Sequence, residues 1–253
     1  MAILTAIITH LDAGAVRRQL DYLRALAPGA RFVVCHGGSA ADFAELGGED
    51  AIFIDDPSLR GPNRQQSYHA ILRAVYEQRV AADTDVVLVY FIEYDHVILA
   101  SDFERRLGAL AESSPAGLFA KWASRRNDTN WPHFTRYKDD ERVNRYFAEL
   151  SCRDDHGTRW GCLGTGTLFR RDALAAVAAV PQPPHVYLEM FTPTLVYHLG
   201  FDVVDVDAVS DMYRAVRWKP VYGVGEALAE KRAGRTFVHP FKDVDSLGAL
   251  LPK

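Results

Sequence analysis

The sequence predicts an α/β fold with a mostly parallel central sheet flanked by helices, and two observations support this. Through residues 1–122, short apolar runs alternate strictly with amphipathic segments of helical spacing. The longest run, residues 86–92, is apolar at every position and rich in β-branched and aromatic residues, as expected of a central strand buried on both faces. Strict alternation of strands and helices is typical of a parallel, doubly wound sheet.

The elements of this half follow in chain order. Asp12, Ser39 and Asn63 are placed to cap the first three helices. Ser101 and Glu104 have the spacing of a capping box for the fourth helix. The predicted strands cover residues 3–9, 31–36, 51–54, 86–92 and 117–122. We therefore predict a Rossmann-like N-terminal half.

The second half of the chain is less regular. Residues 125–136 show no periodicity but carry several polar and aromatic side chains, which predicts a long functional loop. Thr192 and Pro193 form a good N-cap and N1 pair for a helix ending at Gly200. Further elements are predicted over residues 143–150, 166–169, 172–180 and 201–206. Because no repeat or linker is visible, we predict a single domain over residues 1–253.

Composition and charge narrow the possible functions. The 253 residues are 48% hydrophobic and 25% charged, as in ordinary soluble folded chains. A net charge of −4 and a pI of about 6.1 argue against nucleic acid as a partner. Cys35, Cys152 and Cys162 lack the spacing of a disulfide framework or a zinc site, which predicts a reducing, cytoplasmic location. No apolar stretch approaches the ~20 residues of a transmembrane segment.

Two acidic residues stand where the longest apolar run ends, in Glu93-Tyr94-Asp95-His96. In extended chain, residues i and i+2 point to the same face, roughly 6–7 Å apart. Two such carboxylates repel each other and are stabilised by sharing a hard cation such as Mg²⁺ or Mn²⁺. Ligands of open α/β sheets bind at the carboxyl ends of strands. The stretch therefore predicts a metal–phosphate site, the alternative being a solvated acidic turn, and Tyr94 and His96 are expected to be structural.

Several common motifs are absent. The first strand is not followed by G-x-G-x-x-G, and the chain contains neither G-x-x-x-x-G-K-[ST] nor G-x-S-x-G. These absences argue against a dinucleotide-binding site, a P-loop and an α/β-hydrolase. Polar residues do follow the other predicted strands, namely Thr9, His10, His36 and Asp55.

In its alternation of strands and helices and in the acidic pair after its fourth strand, the chain resembles the GT-A fold of nucleotide-sugar glycosyltransferases. The resemblance covers most of its length. The Asp-x-Asp metal motif of that family follows the fourth strand, and the matching positions here read Glu93-Tyr94-Asp95, with Glu in the first place. The resemblance implies a single GT-A-like domain, with residues 1–122 as the nucleotide-binding half and 123–253 as the acceptor-binding half that completes the site. It also implies a divalent metal, Mn or Mg, bound by Asp95, Glu93 and the C-terminal His239.

The resemblance implies roles for further residues. Glu189 follows a Gly-rich segment and is implied to be the catalytic base, with Asp154 and Asp155 as substitutes and a helix-capping role as the structural alternative. A cation such as Arg64 is disfavoured at a helix N-terminus, which favours a functional role for it. The donor-binding residues implied are Thr9, His10, His36, Asp55, Arg60, Arg64, Gln65, Glu93 and Lys242.

An acceptor site is expected in the second half of the chain. Trp131 and Trp160 lie in irregular segments, where a large ring is hard to bury wholly and could stack on a sugar. The alternative is that they cover the core under long loops. Gly164 and Thr165 belong to the Gly-rich segment that the resemblance assigns to the acceptor.

The implied activity is metal-dependent transfer of a sugar from a nucleoside-diphosphate sugar to an acceptor hydroxyl, with inversion. The acceptor could be a glycan, a lipid-linked sugar or a small molecule. Two alternatives stay open. One is a sugar-nucleotide-forming nucleotidyltransferase, although the loop after the first strand is poor in the glycine that such enzymes need. The other is a non-catalytic nucleotide- or sugar-binding module on a degenerate GT-A scaffold.

Overall fold

Seven strands form one central sheet in the computed structural model, which describes residues 2–56 and 67–252. Two further pairs of very short strands lie outside it. In chain order the strands are β1 (Ala2–Thr9), β2 (Arg31–His36), β3 (Ala51–Phe53), β4 (Val86–Glu93), β5 (Val97–Ile98), β6 (Leu118–Ala120), β7 (Ser124–Arg125), β8 (Trp160–Gly161), β9 (Thr167–Arg170), β10 (Val203–Asp205) and β11 (Phe237–Val238).

Helices cover both faces of the sheet. They are α1 (Ala13–Leu26), α2 (Ala40–Leu46), α3 (His69–Val75), α4 (Phe103–Glu112), α5 (Pro132–Tyr137), α6 (Glu141–Leu150), α7 (Arg171–Ala179), α8 (Leu188–His198), α9 (Val206–Val209) and α10 (Val224–Arg232). A π-helical turn, Tyr76–Val80, extends α3, and a 3₁₀ segment, Val244–Leu250, lies near the C-terminus. No helix of the described ranges is long and apolar enough to cross a membrane.

The sheet has the strand order β10-β6-β9-β4-β1-β2-β3. Only β9 runs antiparallel to its neighbours β4 and β6, and the other strands share one direction. The predicted α/β fold with a mostly parallel sheet is confirmed. In the register of β1, Ile8 lies opposite Glu93 and Thr9 lies opposite His36. The carboxyl ends of β1, β2 and β4 therefore meet at one edge of the sheet.

Strand β4 is buried on both faces, as its uniformly apolar sequence predicts. Leu88, Tyr90 and Ile92 pack into one apolar core together with α1 and α4. Val89 and Phe91 pack into the other core, with α3, α7 and α8. Because the side chains of a strand alternate between its two faces, a central strand covered by two helical layers needs apolar residues at every position.

Two of the predicted helix starts are confirmed by their caps. Asp12 accepts a hydrogen bond from the backbone N–H of Ala15 at 2.9 Å, and Ser39 accepts one from Asp42 at 3.0 Å. The predicted capping box at Ser101 is wrong. Helix α4 begins at Phe103, and the carboxylate of its N-cap residue binds the Arg106 guanidinium at 2.8 Å instead of a backbone donor. The predicted Asn63 cap lies outside the described residues.

The predicted start of a helix at Thr192-Pro193 is also wrong. Helix α8 begins at Leu188 and contains Pro193 in its interior. Proline lacks the N–H that would bind the carbonyl of Glu189 four residues earlier. That carbonyl instead accepts a hydrogen bond from the backbone N–H of Cys162 at 3.0 Å. Because a donor from a distant segment satisfies this carbonyl, Pro193 does not end the helix. The loop predicted over residues 125–136 contains the first part of α5, which sequence periodicity did not reveal.

Replacing Gly166 with alanine is expected to destabilise the fold by about 2–4 kcal/mol, the sum of backbone strain and overpacking. Gly166 has a φ of +71°, and a Cβ there would lie 2.7 Å from Cε1 of His96. Because His96 is buried, the clash cannot be relieved cheaply. Denaturant unfolding measures the effect. Gly157→Ala is the matched control, since no heavy atom lies within 4 Å of its added Cβ. Equal unfolding midpoints for the two variants would contradict the prediction.

Candidate active site

Three side chains that could hold a metal meet at the carboxyl edge of the sheet. One ligand atom each from Glu93, Asp95 and His239 lies within 4.8 Å of the other two. Nε2 of His239 is 3.4 Å from Oδ1 of Asp95. Apart from that contact, the buried Oδ1 of Asp95 has no hydrogen-bond partner within the described ranges. A buried carboxylate oxygen is stabilised when a cation binds it, so these residues fit a metal ion.

The tail that carries His239 is fixed by the segment that follows Asp95. Strand β11 pairs antiparallel with β5, so that Val238 lies opposite Val97. Beyond it, the backbone N–H of Phe241 donates to the carbonyl of Asp95 at 2.8 Å. These backbone bonds place His239 beside Asp95.

The hydrogen bonding of His239 leaves one ring nitrogen available for a metal. Nδ1 donates to the backbone carbonyl of Arg217 at 2.7 Å, so in the neutral ring Nε2 carries the lone pair. Burial alone would lower the pKa of His239. The neighbouring Asp95 carboxylate, the Arg217 carbonyl and Glu93 outweigh burial, and the pKa is raised above its usual value. Without a metal, His239 therefore keeps its proton to a higher pH than an unperturbed imidazole would.

Glu93 is held at two points. Its backbone N–H donates to Oγ1 of Thr165 at 3.0 Å, and its Oε1 accepts from the hydroxyl of Tyr68 at 2.8 Å. Burial raises the pKa of Glu93, and the charge of Asp95 raises it further. Two close carboxylates in a partly desolvated site again favour a bound cation.

The two residues expected to be structural lie beneath the site. Nε2 of His96 is 2.9 Å from the hydroxyl of Tyr90, and burial holds the pKa of His96 well below its usual value. The backbone carbonyl of Tyr94 accepts from Nε2 of Gln19 at 2.9 Å. Both residues thus support the turn that carries Asp95.

A cleft of about 290 Å³ opens above the metal ligands. Seven of the residues that line it were predicted, namely Glu93, Asp95, Gly164, Thr165, Glu189, His239 and Lys242. Sequence reasoning missed Tyr187, Trp218, Lys219 and Val221. The aromatic and basic composition of residues 214–225 was the available signal for the last three.

Glu189 lies in the first turn of α8 and faces this cleft. Its Oε1 accepts from the backbone N–H of Gly164 at 3.2 Å, and its Oε2 is 3.4 Å from Nε2 of His133. The His133 ring stacks on Tyr187 with centroids 4.2 Å apart. A Cβ at Gly164 would lie 2.6 Å from Cδ1 of Leu188, so a larger residue there would require the Leu188 side chain to move. Glu189 is not the cap near Thr192 that the structural alternative proposed.

Four of the residues predicted to bind the donor, Thr9, His10, His36 and Asp55, follow strands at the same sheet edge but lie outside the lining of the cleft. Thr9 is buried and its Oγ1 accepts from the N–H of Leu11 at 3.2 Å, while Nε2 of the buried His36 donates to the Leu11 carbonyl at 3.0 Å. These two side chains support the backbone after β1, and direct donor contact stays a prediction for them. His10 and Asp55 are exposed at the ends of their strands.

Other predicted residues are either not described or lie farther away. Arg60, Arg64 and Gln65 fall outside the described residues. The Trp131 ring packs on Gly161 and lies beside His133, with centroids 5.0 Å apart. Trp160 packs against Tyr197 of α8. Neither tryptophan lines the cleft.

The two acids considered as substitutes for Glu189 do not line the cleft either. Asp154 is exposed. Asp155 accepts a hydrogen bond from the Tyr197 hydroxyl at 2.6 Å, near the C-terminal end of α8. Among the acids considered as a base, Glu189 is therefore the one that faces the metal ligands.

Comparisons with known proteins find similar solved structures but no similar sequence family. No family model matches the chain, and no curated protein matches it. An active-site mutant of LgtC is 15% identical with a TM-score of 0.44, over 99% of this chain and 95% of that one. Glucosyl-3-phosphoglycerate synthase from Mycobacterium tuberculosis, in complex with Mn²⁺, UDP-glucose and phosphoglyceric acid, is 15% identical with a TM-score of 0.43, over 98% and 75%.

A CMP:2-keto-3-deoxy-manno-octonic acid synthetase complexed with CTP is also similar. It is 12% identical with a TM-score of 0.37, over 72% of this chain and 79% of that one. At TM-scores below 0.5, none of these similarities decides between glycosyl and nucleotidyl transfer. The activity has to be inferred from the residues of the site itself.

Proposed function

We propose that this protein transfers a sugar from a nucleoside-diphosphate sugar to an acceptor hydroxyl, with a divalent metal ion, Mn²⁺ or Mg²⁺, bound at the sheet edge. The observation that carries the proposal is the set of Glu93, Asp95 and His239, whose ligand atoms lie within 4.8 Å of one another in a cleft. Glu189 and Lys242 line the same cleft, which therefore combines a metal site, a cation for phosphate and a carboxylate base.

The donor set suits a first-row divalent ion. Two carboxylates offer hard oxygen ligands, and Nε2 of His239 adds an imidazole, a combination compatible with Mn²⁺. When bound, the metal would neutralise charge on the diphosphate leaving group. Lys242 and Lys219, both exposed at the cleft, would bind phosphate oxygens as point charges.

Glu189 would act as the base. The Gly164 N–H fixes one of its oxygens, and His133 lies beside the other. As the acceptor oxygen forms its bond to the anomeric carbon, its proton passes to Glu189. The bond between the anomeric carbon and the diphosphate oxygen breaks, and its electron pair leaves with the diphosphate. Direct displacement of this kind inverts the anomeric configuration.

A division into a donor half and an acceptor half belongs to the same proposal. We propose that residues 1–122 bind the nucleotide and that residues 123–253 bind the acceptor, which could be a glycan, a lipid-linked sugar or a small molecule. Glu189 and Trp218, both from the second half, line the cleft. A cytoplasmic location remains the prediction from the sparse cysteines.

A ligand screen tests the proposal. Thermal unfolding would be measured with a panel of nucleoside diphosphates and their sugars, with and without Mn²⁺, because ligand-linked stabilisation ranks affinities. We expect one nucleotide to raise the melting temperature only when metal is present, and its sugar conjugate to be turned over. Pyrophosphate release from a nucleoside triphosphate and a sugar phosphate would instead identify a nucleotidyltransferase. Tight binding without turnover of any donor would indicate a binding module.

Metal affinity is expected to weaken as pH falls through the neutral range. The pKa values of His239 and Glu93 are both raised, so protons compete with the metal at higher pH than they would for unperturbed groups. Each displaced proton should weaken the apparent Mn²⁺ affinity by about tenfold per pH unit below the pKa of its group. Calorimetric titration from pH ~8 to ~5.5 measures this. His239→Gln should bind more weakly with a flatter profile, and a flat wild-type profile would contradict the prediction.

A further inference from the structure

Tyr68 contacts the metal-binding cluster from outside the cleft. Its hydroxyl donates to Oε1 of Glu93 at 2.8 Å. Tyr68 does not line the cleft itself but a much smaller apolar void beneath it, together with Leu72, Phe91 and Leu188. The phenol therefore reaches Glu93 from outside the lining of the cleft.

The backbone of Tyr68 has an unusual conformation. Its φ of 56° and ψ of 11° lie in the left-handed region, which bulky side chains rarely adopt. Tyr68 is the N-cap residue of α3, yet its side chain makes no capping hydrogen bond. Such conformations persist where surrounding contacts hold them and cluster at functional sites. Here the hydroxyl binds a candidate metal ligand instead of the helix terminus.

Glu93 needs such a partner for a chemical reason. A glutamate has one more rotatable bond than an aspartate, so its carboxylate is less firmly placed by the backbone. Burial and, after it, the charge of Asp95 raise the pKa of Glu93 and so oppose its ionised form. A phenol donor to one carboxylate oxygen restricts the side chain and stabilises its charged form, which leaves the second oxygen for a cation.

We infer that Tyr68 is a positioning residue of the metal centre, which orients the Glu93 carboxylate toward a divalent cation. This inference rests on the metal site of the proposed function. It goes beyond that function because it assigns a role to a residue that is not one of the three candidate ligands and does not line the cleft. Partners of metal-ligating carboxylates typically contribute 10–100-fold to metal affinity.

Calorimetric Mn²⁺ titration of Tyr68→Phe tests the positioning role by metal binding alone, with no measurement of enzymatic turnover. The ring and its packing remain, and we expect the Mn²⁺ dissociation constant to rise by about 10–100-fold. The matched control is Tyr146→Phe, which removes a phenol bond of 2.9 Å to the Pro181 carbonyl. Tyr146 lies on α6, away from the metal ligands, so its variant should bind Mn²⁺ like the wild type.

A double-mutant cycle separates positioning from a general effect on the fold. Glu93→Asp keeps a carboxylate but shortens the side chain by one methylene, which withdraws it from the Tyr68 hydroxyl. In that background, Tyr68→Phe should change the Mn²⁺ dissociation constant by less than about twofold. The reason is that Glu93→Asp has already removed the hydrogen bond between the two residues, so the second substitution has no such bond left to break. An equal loss in both backgrounds, or no loss in the wild type, would overturn the inference. A wild type that binds no Mn²⁺ would overturn the metal site itself, and with it the proposed function.

Discussion

Asp95→Ala is expected to abolish metal-dependent sugar transfer while the chain stays folded. Asp95 supplies a buried carboxylate oxygen with no hydrogen-bond partner in the described part of the chain, and its loss leaves Glu93 and His239 as an incomplete ligand set. Metal stabilisation of developing charge is worth several kcal/mol, so kcat/KM should fall on the order of 1,000-fold or more. Steady-state turnover of the donor and Mn²⁺ titration measure the loss.

The fold should tolerate this change. Removing one of two adjacent carboxylates relieves repulsion of Glu93, which offsets the lost contact to His239. Circular dichroism and thermal unfolding without metal should therefore resemble those of the wild type. Asp211→Ala is the matched control, because Asp211 pairs with Arg235 at the surface and should have no effect on turnover. Turnover of Asp95→Ala at the wild-type rate would rule out the metal assignment.

Glu189→Gln is expected to bind Mn²⁺ and nucleotide normally but to transfer sugar about 10²–10⁴-fold more slowly, the usual contribution of a general base. Glutamine keeps the size of the side chain and an oxygen that can accept from the Gly164 N–H. It cannot take up the acceptor proton. The loss should appear in kcat, with little change in KM for the donor, because the substrate would be bound but not deprotonated.

The control for this variant is Glu112→Gln, an exposed residue at the end of α4. Its kinetics should match those of the wild type. Unaltered transfer by Glu189→Gln would remove Glu189 from the mechanism. Parallel measurement of Asp154→Asn and Asp155→Asn would then show whether one of the other two acids considered from the sequence is the base.

Features set by neighbours in the chain could be predicted from the sequence. The burial of β4 on both faces follows from its unbroken apolar run, and the Asp12 and Ser39 caps follow from residue type and spacing. The placement of Glu93 and Asp95 at the end of this strand is equally local. Each of these depends on the alternation of a strand or the turn of a helix, which are fixed by backbone geometry.

One prediction went wrong because a distant group changed the local balance. Pro193 indicates a helix start when only its neighbours are considered, but the Cys162 N–H satisfies the Glu189 carbonyl that Pro193 cannot bind. The Cys162 partner could not be recognised from local spacing. The Ser101 box failed for a local reason, because α4 begins one residue later than the box requires and its N-cap residue Asp102 pairs with Arg105 and Arg106 on the next turn.

The α/β class and the two acids at the end of the central strand follow from the sequence alone. A family resemblance also singled out Glu189 and His239 as candidates. That His239 lies against Asp95 is visible in the folded chain and not in the sequence, because the contact depends on the pairing of β5 with β11. The same holds for Tyr68 beside Glu93 and for Lys219 in the cleft. Periodicity fixes the direction of a side chain on its own element, whereas contacts between elements depend on how those elements pack.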